Sequence, residues 1–551
     1  MRTAGRVWLV LALAWTGAAF AQDRPDESSM FGAPAPAADA GGVEAASGPG
    51  ASAADAGRDV EELAHADTAR DAFASGEAVE NPLQIGGIFY QRGFASAQDS
   101  TSFNHTNYSL PLQVNGYMDA RPNDRIRGFV LARLQYDPTL DGCSASTTAP
   151  VVNAAAPCPR ALPLSGAGAG GNSQTASTSS APTSFGTGTV LPSNPAVLLD
   201  QAWLKFDIER VVFVTVGKQH VKWGASRFWN PTDFLHTQRR DPLLPYDLRL
   251  GNNMVKFEIP WEATATNFYA AALFDNPQPA SSLGQLGGAF RAETTLFGSW
   301  AVGAEAVLRN GAHPVIGADL SAPIGPFDVY AEAAYRERPD TPLYSLQLPG
   351  GLTAAEVAPY ITSLLQNGQS LPPNIQNAIQ GFDLSKIFGG STPAGQYVQV
   401  SGGFNYQFAW KENRQAIAGV EYFFNRLGYT NSLYYPALIF NGNFFPFYTG
   451  RHYAAIYATA EGPDELKHTN YTFSNLANLS DQSFISRIDF SWRVLTYLTF
   501  EAYGDVHYGN RGGEFRFALD TPALQFNGQS VPPLFIAPPT FDLGVGLRIA
   551  I

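Results

Sequence analysis

Beyond residue 21 the chain lacks any uninterrupted apolar run of the ~20 residues that a helix needs to cross a bilayer, which excludes a helical membrane protein. Cysteine is nearly absent, with only Cys143 and Cys158 in 551 residues. In an oxidising compartment a local loop disulfide between them is expected; the alternative, a metal site, has no histidine close by in sequence to support it. Charge is scarce at 15% and its excess is acidic, a net −13, so the basic face of a nucleic-acid binder is missing and no nucleic-acid partner is expected. The eight histidines are scattered without metal-ligand spacing, and no glycine loop stands at a strand-to-helix junction to cradle phosphate. Neither a metal nor a cofactor is expected.

What is present begins with an address. Arg2 and Arg6 precede an apolar run over 7–15, and Ala19-Phe20-Ala21 offers a small-x-small cleavage site. Residues 1–21 therefore read as a cleaved signal peptide, and export follows. Residues 22–80 are an acidic Ala/Gly/Pro-rich segment, with about 13 acids against Arg24, Arg58 and Arg70. It is expected to be disordered and periplasmic, with a short helix within 59–74 that serves as a linker or, alternatively, as a pore plug.

From residue 81 to 551 the chain alternates apolar and polar residues over segments of roughly 10 to 13 residues, joined by alternately short and long connections. Tyr108, Leu110, Leu112, Val114, Gly116 and Met118 share one face against Ser109, Gln113, Asn115, Tyr117 and Asp119. After the turn at 121–124, Ile126, Gly128, Val130, Ala132, Leu134 and Tyr136 oppose Arg125, Arg127, Arg133, Gln135 and Asp137. Charges keep to a single face. The fold class is all-β: a transmembrane antiparallel up-and-down β-barrel of about 18 strands, apolar face to lipid and charged face to water, with 16 strands as the alternative because the segments at 83–92 and 467–477 alternate weakly. Aromatics at strand ends, such as Tyr108, Tyr136, Phe327 and Tyr335, are expected in two interfacial girdles.

The most distinctive run is Gly217-Lys218-Gln219-His220-Val221-Lys222-Trp223-Gly224, followed by Trp229-Asn230-Pro231-Thr232-Asp233 and Arg239-Arg240-Asp241-Pro242. With the strand pattern over most of 81–551, it resembles a porin-like family of Gram-negative outer-membrane β-barrels. Strand parity places Lys218, His220 and Lys222 toward the lumen and Gln219, Val221 and Trp223 toward lipid, since lysines facing lipid would cost about 2–4 kcal/mol each near the midplane. Arg227, Arg239, Arg240 and Arg249 then form either a cationic patch at the pore mouth or a solvated loop paired with Asp233, Asp241 and Asp247.

Elsewhere parity turns Arg291, Glu293, Glu305, Arg309, Asp319, Asp328, Glu332 and Arg336 inward, then Glu421, Arg487, Asp489, Arg493, Glu501 and Asp505. These form either a ladder of ion pairs that stabilises the interior or a transverse field that selects polar solutes. Long loops over 138–196, 224–250 and 337–395 lie outside, and 353–365 has helical spacing interrupted by Pro359; packed on its surroundings, it would form a partial lid.

Pattern and resemblance together imply an outer-membrane channel for passive diffusion of small hydrophilic solutes, assembled by the barrel assembly machinery among outer-membrane lipids. The alternatives are a barrel anchor whose loops bind a partner or glycan, and an exporter or lipid-uptake barrel. Catalysis is not expected, because the sequence around His507 has no serine beside it.

Overall fold

A computed structural model describes residues 82–99, 107–140, 195–236, 239–244, 247, 249–274, 286–347, 359–363, 388–411, 414–440, 443–463, 466, 468–521, 524–526, 529–531 and 534–551. The expected signal peptide, the acidic segment 22–80 and both cysteines lie outside these residues.

Eighteen long antiparallel strands form one sheet. They are β1 Leu83–Gln98, β2 Leu112–Asn123, β3 Ile126–Tyr136, β4 Ala196–Ile208, β5 Val212–Gln219, β6 Asn252–Trp261, β7 Thr266–Leu273, β8 Gly287–Leu296 and β9 Trp300–Leu308. They continue as β10 Val315–Ile324, β11 Phe327–Arg336, β12 Tyr397–Lys411, β13 Arg414–Asn425, β14 His452–Glu461, β15 Thr469–Asn478, β16 Ser483–Leu495, β17 Leu498–Gly509 and β18 Pro539–Ala550. Each pairs with its sequence neighbours, and β1 closes the ring by pairing with both β2 and β18, Ile88 facing Asn115 on one side and Ala550 on the other. Both weakly alternating segments form strands, β1 and β15, so the count is 18 rather than 16.

Alternation decides which face is which. Met118, Ile126, Val130, Leu543, Val545 and Leu547 are exposed on the outer wall, whereas Gln113, Asn115, Asp119, Arg133 and Asp542 are buried on the inner one. This is a soluble protein turned inside out, as a closed barrel in lipid requires, because every backbone group is satisfied within the ring. Aromatics mark the outer edges as expected: Trp261, Phe327 and Trp492 at the short-turn end, Tyr108, Tyr335 and Tyr508 at the other, all exposed. Among the described residues no helix is long and apolar enough to cross a membrane.

At the short-turn end, connections are tight. Glu209 and Arg210 carry φ of 53° and 58°, the paired left-handed geometry that matches strand twist in a hairpin, and Asp207 fixes the turn by accepting from the Arg210 amide at 2.9 Å. The other end carries the long connections. Of the expected loop helix, residues 359–363 are helical and Ile361 is fully buried; its remaining turns lie outside the described residues.

Candidate functional site

The described residues of the connection between β5 and β6, residues 220–251, do not stay outside but turn into the barrel and are held there by the inner wall. Two carboxylates clamp it. Glu421 on β13 accepts from the backbone amides of Arg227 at 2.9 Å, Phe228 at 3.1 Å and Trp229 at 2.8 Å, and also from Tyr330 Oη and Ser401 Oγ on the two preceding strands. Glu332 on β11 accepts from the Ser226 amide at 2.5 Å and from Thr232 Oγ1 at 2.8 Å. On the opposite polarity, Arg309 donates to the Phe234 and Leu235 carbonyls at 2.8 and 3.1 Å.

Backbone geometry explains part of the motif. Gly224 has φ +96°, and a Cβ there would lie 2.6 Å from Glu332 Oε1 and from Thr232 Oγ1. Only glycine lets the chain turn beneath that carboxylate. On the wall, Gly403 sits between Tyr330 and Glu421 in register; a Cβ would meet the Tyr330 hydroxyl at 2.7 Å and block its reach to Glu421.

Behind the clamp, the loop inserts an aromatic knot. Trp229 is fully buried, stacks on Phe423 with a ring separation of 5.8 Å, approaches Tyr453 at 5.4 Å and donates its indole N–H to the Phe447 carbonyl at 2.9 Å. Phe447 comes from the 426–451 connection and Phe515, packed against it, from the connection after β17. Three connections therefore meet inside the loop end of the barrel, and the sequence marked none of them as inward: 224–250 was expected outside.

The structure distributes the expected site residues unevenly. Arg291 and its neighbours form one cluster: this buried guanidinium donates to Glu305, to Asp319 at 2.5 and 3.1 Å and to Glu293 at 3.1 Å, across β8, β9 and β10. Arg127 pairs with Asp119 at 2.9 Å, Arg133 with Asp200 at 2.5 Å, and Arg487 with Asp489 at 2.6 Å while lying 3.7 Å over the Tyr503 ring. Arg336 pairs with Asp340, and Glu501 accepts from Tyr90 Oη at 2.5 Å and faces Arg548 at 3.3 Å. These are contacts within a strand, between strands one or two places apart around the ring, or with an adjoining loop. Asp505 lies deep in the wall beside His507 and Asp542. Asp328 is half-buried on the inner face, and Arg493 is exposed at the short-turn rim, away from the clamp.

At one place the facing is the reverse of that expected, although alternation along the strand holds. In β5 it is Gln219 that is buried and paired with inward Asn252, while Lys218 pairs with Ala202 and Asn253 on the outer face. The strand ends there, at the rim, where a lysine on the lipid face costs only about 0–1 kcal/mol. His220, already in the loop, does face inward, its Nε2 2.9 Å from Asp200 Oδ1, and Lys222 is half-buried beside it. Val221 and Trp223, expected toward lipid, are buried with Phe234 and Met254 inside the barrel. Alternation carried past the end of a strand no longer predicts direction.

The four loop arginines do not form an external patch. Arg249 is buried between Asp233 at 2.8 Å and Asp247 at 2.6 Å; Arg227 lies 4.3 Å over the Tyr457 ring and Arg239 lies 5.3 Å over Tyr448. Arg240 donates to the Arg227 carbonyl at 3.3 Å. Burial pushes the Asp233 carboxyl up, but His236 and Arg249 at its side overcome this and hold it below the usual range. Burial raises Asp241 to about 7 and Glu514 to about 8, the Asp481 charge adding to the second.

One feature went unmarked in the sequence. Arg127, Lys205, Thr215 and Lys256 are register partners in turn across β3 to β6, which sets three cations in one row on the inner wall. Lys205 and Lys256 retain partial exposure over the rings of Phe213 and Tyr269.

Fold and site define the class: a closed membrane-spanning β-barrel of 18 strands with a polar inner wall and a loop pinned across its interior. No family model and no curated protein matches the chain. Among solved structures it is similar to OccAB1 of Acinetobacter baumannii at 8% identity over 87% of this chain and 98% of that one, TM-score 0.43. It is likewise similar to OccK9 of Pseudomonas aeruginosa at 7% over 86% and 100%, TM-score 0.43, and to a mutant of Rhodopseudomonas blastica porin at 9% over 85% and 100%, TM-score 0.34.

Proposed function

We propose that this barrel is an outer-membrane channel for passive diffusion of small hydrophilic solutes, exported on the 1–21 signal peptide and inserted among outer-membrane lipids by the barrel assembly machinery. The observation that carries this is the 220–251 loop, fastened by Glu332, Glu421 and Arg309 to the inner wall. A segment held across the interior by buried charge-assisted bonds narrows a passage rather than covering an outer surface. Inner-wall groups such as Arg127 and Glu293 retain solvent exposure, so polar solutes meet polar walls. Purified protein in a planar bilayer should give stepwise conductance, and a heat-modifiable gel shift should accompany the folded barrel.

The aromatic knot around Trp229 favours a second use of the same fold, a closed anchor whose outer loops bind a partner or glycan. A barrel that is folded by the gel assay yet silent in the bilayer would support that alternative and reject the channel.

A further inference from the structure

We propose that Asp505, His507 and Asp542 bind a divalent transition-metal ion on the inner wall, whether or not the barrel conducts. Asp505 and Asp542 are direct register partners on β17 and β18, and His507 lies two residues along the same face. All three are buried, with Asp505 1% and Asp542 2% exposed, and their ligand atoms lie within 4.8 Å of one another.

The imidazole is set up as a ligand from behind. Its Nδ1 lies 2.7 Å from the Phe515 carbonyl oxygen, which can only accept, so Nδ1 carries the proton. Phe515 is itself fixed, its amide donating to Ser483 Oγ at 3.1 Å. A backbone carbonyl that holds one nitrogen and leaves the other free to ligate is the usual support of a metal-bound histidine.

Nε2 then faces two carboxylates, 3.3 Å from Asp505 Oδ1 and 3.2 Å from Asp542 Oδ2, the second a long hydrogen-bond contact. Charge-assisted hydrogen bonds run about 2.7–2.9 Å. Two ligands each about 2.0–2.1 Å from one tetrahedral zinc sit roughly 3.3–3.4 Å apart, which is the separation seen. A neutral imidazole would aim its lone pair at two carboxylates, an arrangement that a shared cation relieves. Both Asp505 oxygens and Asp542 Oδ1 are buried and accept no hydrogen bond among the described residues.

The donor set indicates the ion. One imidazole and two carboxylates suit zinc and its first-row neighbours, whereas calcium and magnesium prefer all-oxygen shells. Two carboxylates and a neutral imidazole match a dication in charge. Arg487 comes within 3.8 Å of Asp505 Oδ2, but its closer partner is Asp489 at 2.6 Å.

The test uses the full-length protein in detergent, stripped with a chelator and titrated with Zn2+ by equilibrium dialysis. One saturable site is expected, undisturbed by millimolar Mg2+ or Ca2+. Asp542→Asn and His507→Gln should each weaken it by about 100-fold while keeping the heat-modifiable shift of a folded barrel. Absence of saturable binding, which would leave a protonated His507 bridging the carboxylates, overturns the proposal. So does binding that survives both substitutions, which would place the zinc at other histidines.

Discussion

If the inward loop is held chiefly by Glu421, then Glu421→Ala should release it without dismantling the barrel. The side chain is 2% exposed and receives three backbone amides at 2.8–3.1 Å, with Tyr330 and Ser401 as further donors. Hydrogen bonds to a charged group contribute about 1.5–3 kcal/mol each, so the three amides alone represent roughly 5–9 kcal/mol. Water entering the vacated space recovers part of this, and Glu332, Arg309 and the Trp229 indole still hold the loop. A net loss of about 3–5 kcal/mol is expected, in line with breaking a buried charged contact. At ~1.4 kcal/mol per factor of ten, loop release should rise by roughly a hundred- to a thousandfold or more. Planar-bilayer recordings should show larger or noisier steps than the parent, or new steps if the parent is silent. Trypsin added from the loop side should cleave after Arg239 or Arg240 only in the variant. Glu421→Gln, which keeps one acceptor oxygen, should fall between the two. A folded Glu421→Ala barrel with the parent's conductance and cleavage pattern would refute the clamp.

Arg291→Met removes the one guanidinium shared by Glu293, Glu305 and Asp319; unfolding in urea should show a loss of about 3–5 kcal/mol, and an unchanged midpoint would mean that the cluster is not held by charge. Gly224→Ala forces an L-residue to φ +96° and sets a methyl 2.6 Å from Glu332, so loop cleavage by trypsin should rise with a destabilisation of about 1–3 kcal/mol. Glu514 is raised to about 8 from a usual 4.5 by burial and by Asp481; the folded state keeps a proton that the unfolded state has lost, so docking of its segment is strongest below pH 4.5 and weakens as pH rises through about 8. Hydrogen exchange of 510–521 should follow that slope, and Glu514→Gln should flatten it.

Sequence alternation was sufficient for the wall because each barrel strand has one face toward lipid and one toward the interior, a contrast that writes itself into every second residue. Thus β2, β3, β11 and β18 show the faces expected of them. It was insufficient for the interior. Glu421 was identifiable as an inward acid, yet its partners Arg227 to Trp229 lie more than 190 positions away in sequence, and nothing local says that a glutamate will meet backbone amides rather than an arginine. Val221 and Trp223 misled for the opposite reason: in a barrel, bulky apolar residues ordinarily mean lipid, and only the inward fold of the loop makes a lumen position apolar. Asp542 and Asp505 met through strand register alone, a pairing that scattered histidines and acids do not reveal.

The same self-pairing bears on ion preference. A buried pair such as Arg133 with Asp200 presents little field to a passing ion, because each charge has its counter-charge at 2.5 Å. Selectivity should therefore lie with partly exposed groups, of which Lys205 and Lys256 flank Thr215 in one row. Lys205→Glu combined with Lys256→Glu changes the charge of that row by −4 while leaving the clamp intact. In a salt gradient at about 0.01 M, where the screening length is about 30 Å, the reversal potential should move toward cations; at about 1 M, with screening near 3 Å, the shift should vanish. Because the row stands on β4 to β6 while the clamp grips the loop from β11 and β13, a selectivity change that tracked Glu421→Ala instead would assign ion preference to the loop and overturn this division of labour.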